Sequence, residues 1–421
     1  MMRRRRLLFL CHRIPYPPNK GEKIRAWHML AHLAERWDVD LGCLVDDPAD
    51  LEHCPILRER CAEVECRTIR PYARTARTLL SFRPNLPLTL GWFHEPGLRV
   101  WVESRLAARG YDAALAYSSA MAPYLMGVTA QGRGLRRVLD MVDVDSEKWR
   151  AYAAAARGPA AAVWARESRT LLGFERRAAA EFDRTLFVSE EEKERFADLA
   201  PECAERLGWV DNGVDLRSFA PSAEHPDPFM GDAPALVFTG TMDYRPNIDA
   251  VCWFAREVMP LLRTRRPAPR FHIVGANPGS EVEALTALPD VRVTGRVPDV
   301  RPYLAHAAVA VVPLRIARGI QNKLLEAMAI GRPAVASPQA FEGVHARPGR
   351  DLLVADGADE MARRVAEVLD GAHPGLGAAA RAAVVAGHDW AGTLLRLDRV
   401  LEPAAHGAPA PAGHHRRLAA Y

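Results

Sequence analysis

Short apolar segments alternate with amphipathic helices along this chain, and the alternation runs through two successive stretches. In the first half, helices are predicted at Lys23–Arg36 and Arg166–Phe182. The apolar segments that predict strands there are Leu7–Cys11, Val39–Val45, Tyr111–Ala116, Arg137–Met141 and Thr185–Ser189. This alternation is typical of a parallel sheet covered by helices on both faces. The first half therefore predicts a doubly wound α/β domain.

The same pattern restarts after a stretch at 220–233 that is rich in Pro, Asp and Gly. The strands predicted in the second half are Ala235–Gly240, Arg270–Gly275, Val291–Thr294, Ala308–Pro313 and Ala334–Ser337. The helices predicted with them are Asp249–Leu262, Asp299–His306, Ala358–Leu369 and Trp390–Leu401. We expect Rossmann-like domains at 1–205 and 206–385, a closing helix at 386–402 and a disordered tail at 403–421.

Composition excludes several classes of protein. The net charge of +4 is small for 421 residues and no aromatic-basic motif occurs, so we expect no nucleic-acid partner. No apolar stretch approaches the ~20 residues of a membrane span. The seven cysteines form no C-x-x-C pair, which favours free thiols in a reducing cytoplasm. The cluster Arg3–Arg6 can contact anionic lipid headgroups or simply be solvated, and the sequence leaves both open.

The segment Arg315–Ser337 is the part of the chain most informative about function. It opens with three cations, Arg315, Arg318 and Lys323, around a glycine, and a short helix carrying Glu326 follows. Cations and free backbone N–H groups at a helix N-terminus form an anion site, and phosphate is the usual anion. Lys323 and Glu326 are three residues apart and share a helix face, where a carboxylate suits the hydroxyls of a ribose. The alternative is an ordinary amphipathic helix with a solvated Lys–Glu pair.

Five motifs follow one another through the second half. They are Asp211-Asn212-Gly213-Val214-Asp215, Val237-Phe238-Thr239-Gly240, His272-Ile273-Val274-Gly275, Val293-Thr294-Gly295-Arg296-Val297 and Leu325-Glu326-Ala327-Met328-Ala329. In this order and spacing they resemble the retaining glycosyltransferases of family 4, which have the GT-B fold. The run Lys20-Gly21-Glu22-Lys23-Ile24-Arg25 in the first half resembles the sugar transferases associated with bacterial exopolysaccharide and PEP-CTERM/exosortase loci. This resemblance implies two Rossmann-like domains facing a cleft, with the C-terminal helix crossing back to the first.

The resemblance also implies roles for single residues. Glu326 matches the second glutamate of a Glu-x7-Glu motif, which binds the donor ribose, whereas the first glutamate is replaced by Arg318. Arg245 is expected to substitute for a cation of the family, and Lys323 and Arg318 to share the pyrophosphate. Val297 is expected near the base. The other residues expected around the donor are Asn322, Gly319, Gln321, Arg315, Gly240 and Gly21.

Two further features after predicted strands are candidates for the cleft. His12 follows the first strand and can act in acid–base chemistry or be a structural histidine. Asp143-Val144-Asp145 matches the D-x-D metal signature, but the GT-B resemblance implies that no such metal is needed. Asp143 and Asp145 remain cleft candidates, because polar residues after such a strand face the ligand side.

These features predict a retaining, metal-independent hexosyltransferase. It would move a hexose from a nucleotide-diphosphate sugar to a glycan, expected to be lipid-linked, in bacterial exopolysaccharide biosynthesis. No cofactor is expected beyond the donor. The expected location is the cytoplasm, with peripheral contact at the inner face of the plasma membrane as an option. A non-catalytic nucleotide-sugar-binding protein and a nucleotide-sugar epimerase of the same fold remain alternatives, and an NAD-dependent oxidoreductase is a more distant one.

Overall fold

The computed structural model describes residues 4–69, 78, 83–128, 134–221, 224–317 and 319–402 of the 421-residue chain. Within these residues, two parallel sheets follow one another along the chain, as the sequence predicts. The tail expected at 403–421 and the side chain of Arg318 lie outside the described residues.

The first sheet has seven described strands in the order β3-β2-β1-β4-β5-β6-β7, and all neighbours are parallel. The strands are β1 (Arg5–Cys11), β2 (Trp37–Val45), β3 (Glu63–Thr68), β4 (Ala113–Tyr117), β5 (Arg136–Val142), β6 (Arg184–Phe187) and β7 (Leu207–Trp209). The helices are α1 (Gly21–Ala34), α2 (Cys54–Arg58), α3 (Leu88–Phe93), α4 (Pro96–Ala108), α5 (Asp145–Ala155), α6 (Pro159–Glu181) and α7 (Glu190–Leu199). Because β7 pairs with β6, this sheet extends past residue 205.

The second sheet has six described strands in the order β10-β9-β8-β11-β12-β13, again all parallel. The strands are β8 (Ala235–Thr239), β9 (Arg270–Val274), β10 (Val291–Gly295), β11 (Val309–Val312), β12 (Ala334–Ala336) and β13 (Leu353–Val354). The helices are α8 (Arg245–Trp253), α9 (Met259–Leu262), α10 (Ser280–Glu283), α11 (Arg301–Ala305), α12 (Asn322–Ala329), α13 (Pro338–Phe341), α14 (Ala358–Leu369) and α15 (Leu376–Gly387). One π-helical turn, Phe254–Val258, joins α8 to α9.

The central strands contain continuous apolar runs, such as Leu7–Cys11 of β1, because helices cover both faces of each sheet. In β1, Leu8 and Leu10 point into one apolar cluster, while Leu7 and Phe9 point into another on the opposite face. All four side chains are fully buried. This arrangement explains why the sequence of β1 from Leu7 to Cys11 is continuously apolar and does not alternate between apolar and polar residues.

The chain returns to the first domain at its C-terminal end, through α16 (Trp390–Thr393) and α17 (Leu395–Leu401). Their apolar side chains pack in the same cluster as Leu7 and Phe9. Asp398 of α17 lies 3.0 Å from His32 of α1 and also pairs with Arg36. These contacts confirm the expected crossing of the C-terminal helix.

The two passes of the chain between the domains run side by side. Val214, on the way out, pairs with Asp389, on the way back, in an isolated parallel bridge. The backbone N–H of Val214 donates to the carbonyl of His388 at 2.9 Å. The segment 211–215 is therefore one of two adjacent chain segments that connect the domains.

Candidate functional site

Both sheets reverse their strand order at one point. In the first sheet β1 and β4 are neighbours, and in the second sheet β8 and β11 are neighbours. Chain connections leave such neighbouring strands in opposite directions, which opens a crevice at their carboxyl ends where ligands bind. In this protein the loop after β1 leads into α1, and the loop after β11 leads into α12.

The N-termini of α1 and α12 meet across this crevice. Their N-cap residues, Lys20 and Gln321, make no side-chain capping hydrogen bond. A Cβ atom placed on Gly21, the first residue of α1, would lie 3.7 Å from Nδ2 of Asn322, the first residue of α12. Each helix start leaves backbone N–H groups without intrahelical partners and carries the positive end of a helix dipole. Two such ends facing one another form a site for an anion with two charged groups.

Lys323 is held at the floor of this site by the second domain. Its Nζ donates to Oδ1 of Asn247 at 2.9 Å and lies 5.3 Å from the ring centroid of Phe238. Burial lowers the pKa of Lys323 to about 8, while the neighbouring Glu326 opposes the shift. A cation held in low-dielectric surroundings gains much from an added anion, because the anion restores the charge balance that desolvation removed.

Glu326 lies on the same face of α12, one turn further in. Burial raises its pKa to about 7, and Lys323 acts in the opposite direction. Its carboxylate accepts no hydrogen bond from another described residue. The carboxylate is therefore available to accept hydrogen bonds from vicinal hydroxyls.

Gly240 gives Lys323 access to the site. It follows β8 with φ of +157°, and a Cβ atom there would meet Nδ2 of Asn247 at 2.7 Å and Cε of Lys323 at 3.3 Å. Asn247 is held in turn by the carbonyl of Thr241, to which its Nδ2 donates at 2.8 Å. Any larger residue than glycine would push this lysine–asparagine pair away from the strand end. Asn247 was not among the predicted site residues, although it lies in the first turn of α8, the helix that follows β8.

The first domain contributes Asp143 to the opposite wall. A Cβ atom on Gly319 would lie 2.1 Å from Oδ1 of Asp143, so the backbone before α12 passes directly over this carboxyl. That oxygen is buried and has no hydrogen-bond partner. Burial, with Glu192 and Asp145 nearby, raises the pKa of Asp143 to about 8. Val142 just before it has φ of +68°, a conformation costly for a β-branched residue and found at functional sites.

Lys148 and Tyr244 bring further polar atoms to the cleft from the two domains. Lys148, on α5, forms an ion pair at 4.0 Å with Asp145. The pKa of Lys148 is raised despite burial, because Asp145, Tyr244 and Tyr152 surround the ammonium group. Lys148 was not among the predicted site residues, although it lies four residues into a helix that follows a strand end.

A buried polar chain ties the first domain to the start of α12. Arg25 is 1% exposed and pairs with Asp140 at 2.9 Å. The same guanidinium donates to the carbonyl of Val210 at 2.7 Å and to Oδ1 of Asn212 at 3.0 Å. Asn212 then donates to Oδ1 of Asn322 at 3.2 Å. Arg25 is thus a structural residue, and Asn212 is an additional residue that positions the site.

For three of the predicted donor residues the structure gives the following surroundings. Arg315 pairs with Asp249 through two contacts, one of 2.9 Å from Nε, and stacks over Trp253. Val297 packs against an apolar cluster on one face of the second sheet. Arg245 is exposed at the first position of α8.

The remaining predicted residues are His12, Gln321 and Arg318. His12 stacks on Tyr117 with ring centroids 5.7 Å apart, and its Nδ1 is buried without a partner. Burial lowers the pKa of His12, so the ring is neutral near pH 7. Gln321 donates to the carbonyl of Gly319 at 3.1 Å and shapes the turn before α12. The expected role of Arg318 concerns a residue outside the described ranges.

Within the residues that the structure describes, no group of three His, Cys, Asp or Glu side chains is arranged to hold a metal ion. Over the same ranges, no helix is both long and apolar enough to cross a bilayer.

The chain is similar to known proteins in sequence over its second domain and in structure over both domains. Residues 233–371 match the family model described as Glycosyl transferases group 1. Sucrose-phosphate synthase from Thermosynechococcus elongatus is similar in structure, with 20% identity and a TM-score of 0.70, covering 94% of this chain and 98% of that chain. HepE of Anabaena in complex with UDP and glucose has 13% identity and a TM-score of 0.64, covering 94% and 99%. TarM has 10% identity and a TM-score of 0.62, covering 96% and 99%.

The structural similarity extends over both domains, which confirms the predicted GT-B fold. The second domain carries the glycosyl transferases group 1 match, and it is the domain that supplies Lys323 and Glu326. A search of curated proteins found no match.

Proposed function

We propose that this protein is a retaining glycosyltransferase that moves a hexose from a nucleotide-diphosphate sugar to a glycan acceptor. The observation that carries the proposal is the meeting of two uncapped helix starts, at Gly21 and Asn322, beside Lys323 and Glu326. Together they offer N–H donors and a cation for a diphosphate and a carboxylate for a ribose. The Anabaena structures similar in fold hold UDP with glucose, and UDP-glucose, which supports a donor of this class.

On the donor side, the diphosphate would lie between the two helix starts. Lys323 is protonated below pH 8 and would pair with its oxygens. Glu326, ionised above pH 7, would accept hydrogen bonds from the ribose. The hexose would then extend towards Gly319 and Asp143, at the wall that the first domain provides.

The chemistry would be displacement on the front face of the sugar. The bond from the anomeric carbon to the diphosphate breaks, the acceptor oxygen bonds to the same face, and the configuration is retained. Lys323 and the helix dipoles would stabilise the negative charge that develops on the leaving diphosphate. The departing phosphate oxygen can take the acceptor proton, so no dedicated protein base is required, and no metal is expected. The cleft between the domains would keep water from the donor.

The acceptor is proposed to be a lipid-linked oligosaccharide of bacterial exopolysaccharide biosynthesis, on the strength of the motifs in the first half. The protein would then act in the cytoplasm at the inner face of the membrane. Of the arginines considered for lipid contact, Arg5 and Arg6 open β1 at the sheet edge opposite to the cleft. Arg4 there donates to the carbonyl of Ala34, and Arg5 stacks on Trp37. A contact through that edge would leave the cleft free to receive an acceptor.

A thermal-shift panel followed by product analysis tests the proposal. The panel contains UDP, GDP, ADP and their common sugar derivatives. The donor that gives the largest rise in Tm is then incubated with oligosaccharide and lipid-linked acceptors, and the anomeric configuration of the product is measured by NMR. The proposal predicts transfer with retention. Conversion of the donor sugar without acceptor would indicate an epimerase, and binding without transfer or hydrolysis would indicate a non-catalytic binding protein.

A further inference from the structure

Three thiols of the first domain touch one another and have no role in the proposed reaction. The strand register pairs Cys43 of β2 with Cys66 of β3, so the two lie side by side on neighbouring strands. Their Sγ atoms are 3.5 Å apart. Cys54, the first residue of α2, reaches the same place and has its Sγ 3.2 Å from that of Cys66. Cys66 is therefore the central member of a three-thiol cluster.

The three thiols differ in access to solvent. Cys43 and Cys54 are buried, whereas Cys66 is half-buried. Cys66 also lies on β3, the edge strand of the sheet. A small oxidant in solution therefore reaches Cys66 more readily than its two neighbours.

The cluster is also chemically asymmetric. The hydrogen bond from Cys43, assisted by that from Cys54 and by the nearby charge of Arg58, lowers the pKa of Cys66 to about 7 in spite of burial. Burial and the contact with Cys66 raise the pKa of Cys54 to about 11. One thiolate is thus flanked by two thiols that donate to it. This pattern is typical of a nucleophilic cysteine with a resolving partner, because thiolate character and access control cysteine reactivity.

We propose that Cys66 and Cys54 form an oxidation site that hydroperoxides convert to a disulfide. The thiolate of Cys66 attacks the terminal oxygen of the peroxide, the O–O bond breaks, and the second oxygen leaves as an alkoxide or hydroxide, which takes a proton from solvent water to become an alcohol or water. Cys66 becomes a sulfenic acid. The sulfur of Cys54 then attacks the sulfur of Cys66, the S–O bond breaks, and the released hydroxide takes the proton of Cys54 to leave as water. Two electrons pass from the thiol pair to the peroxide.

Cys54 is the preferred partner of Cys66 for reasons of distance and of mobility. Its sulfur is closer than that of Cys43. A disulfide needs the sulfurs to approach to about 2.05 Å. Cys54 begins the five-residue helix α2 and takes no part in the strand pairing, so its approach to Cys66 breaks no hydrogen bond of the sheet. Cys43, in contrast, is fixed within β2, which is paired on both sides, to β1 and to β3.

Metal binding is the other chemistry that clustered thiolates suggest. Over the described ranges, no three His, Cys, Asp or Glu side chains are arranged to hold a metal ion. The neighbouring Arg58 also opposes the approach of a cation to Cys66. The contacts therefore favour thiol oxidation over metal ligation.

The test is oxidation of the full-length protein with hydrogen peroxide, followed by alkylation of the remaining thiols under denaturing conditions. The structure describes seven free cysteines, so mass spectrometry should find seven alkylated thiols before treatment and two fewer afterwards. Cleavage after glutamate separates the sites, because Glu52 lies between Cys43 and Cys54, and Glu65 directly precedes Cys66. A linked Cys54–Cys66 peptide that dithiothreitol releases is the expected product.

Variants supply the controls. Cys203→Ser removes a buried thiol elsewhere in the domain and should still lose two thiols on oxidation. Cys54→Ser should give no disulfide, and its Cys66 should proceed to sulfinic acid. If Cys54→Ser fails to fold, the peptide map of the wild type decides. An unchanged thiol count, or a bridge from Cys66 to Cys43 or Cys61 in place of Cys54, would overturn the assignment.

Discussion

Asp143 of the first domain and Gly319 of the second are in contact across the cleft. A Cβ atom added to Gly319 would lie 2.1 Å from Oδ1 of Asp143, closer than any real side chain can approach. Gly319 has φ of +60°, which carries its backbone over the carboxyl. This contact joins the end of β5 to the turn before α12. It therefore fixes how the two halves of the site face one another.

Replacing Gly319 by alanine should impair the site more than the fold. The added methyl group collides with Asp143 and, at 2.8 Å, with Val188, so the domains must move apart or the turn before α12 must shift. We expect donor turnover to fall at least ~10-fold, the equivalent of about 1.4 kcal/mol. Steady-state assays with the best donor of the thermal-shift panel measure this.

Gly349→Ala is the matched control for this substitution. Gly349 has a similar φ, +81°, but nothing lies within 4 Å of the position of its Cβ. The strain of an alanine in the left-handed region is therefore common to both variants, and only the collision differs. Equal activity in the two variants would show that the Asp143–Gly319 contact is irrelevant to turnover.

The substitution Asp143→Asn should change how stability depends on pH. The pKa of Asp143 is about 8 in the folded protein, because of burial, and the usual value is 3.8. Between these two values the folded state retains a proton that the unfolded state has released, so stability falls as pH rises. The asparagine variant lacks this dependence. The Tm of Asp143→Asn minus that of the wild type should therefore increase from pH 5 to pH 8. A difference that is constant with pH would contradict the raised pKa.

Lys323 should make diphosphate binding sensitive to alkaline pH. Burial lowers its pKa to about 8, so the ammonium group loses its proton as pH rises through that value. The affinity for a nucleoside diphosphate should decrease above pH 8 in the wild type. Lys323→Met should bind about 10- to 100-fold more weakly, in keeping with ~1.5–3 kcal/mol for a charged hydrogen bond, and should lack this pH dependence. Calorimetric titrations at pH 7 and pH 9 compare the two proteins.

Glu326 should recognise the nucleoside rather than the phosphates. Its carboxylate has no hydrogen-bond partner among the described residues, and burial raises its pKa to about 7. Glu326→Gln should therefore weaken binding of nucleoside diphosphate at pH 8 by ~1 kcal/mol or more. The affinity for inorganic pyrophosphate, measured by the same titration, should be unchanged or slightly stronger. A loss of equal size for both ligands would assign Glu326 to the phosphates instead.

The buried pair of Arg25 and Asp140 should be essential to stability. Removal of one partner leaves the other charge buried without compensation, at a cost of about 3–5 kcal/mol. Arg25→Met should therefore lower the free energy of unfolding by this amount, and Arg25→Met/Asp140→Leu should restore much of it. Urea unfolding measures both. If the double variant is no more stable than the single one, the loss belongs to the contacts of Arg25 with Val210 and Asn212.

Most of the sheet and helix pattern was predictable because it depends on local periodicity. The predicted strand Arg137–Met141 corresponds to β5, and the helix Ala358–Leu369 has the predicted bounds. The edge strand Glu63–Thr68 was missed because its sequence is polar and half-exposed. The helix Leu376–Gly387 was missed because it is mostly alanine and glycine, with no apolar face to read.

Only those site residues that lie close together in one segment of the sequence could be predicted as neighbours. Asn322, Lys323 and Glu326 share a helix, so their proximity follows from spacing alone. Arg315 also lies in that segment, but its partner Asp249 is distant in sequence, and local patterns cannot reveal the pairing. The same holds for Asn247, and for Asn212, whose link to Asn322 spans the two domains.

Calorimetric titration of UDP, GDP and ADP against the wild type, Lys323→Ala and Glu326→Ala tests the central claim most directly. The claim is that a nucleotide diphosphate lies at the start of α12, with its charge on Lys323 and its ribose on Glu326. At least one nucleoside diphosphate should bind the wild type, and each substitution should weaken it about 10-fold or more, or ~1.4 kcal/mol. Wild-type affinity in both variants, or no binding of any of the three to the wild type, would contradict the account.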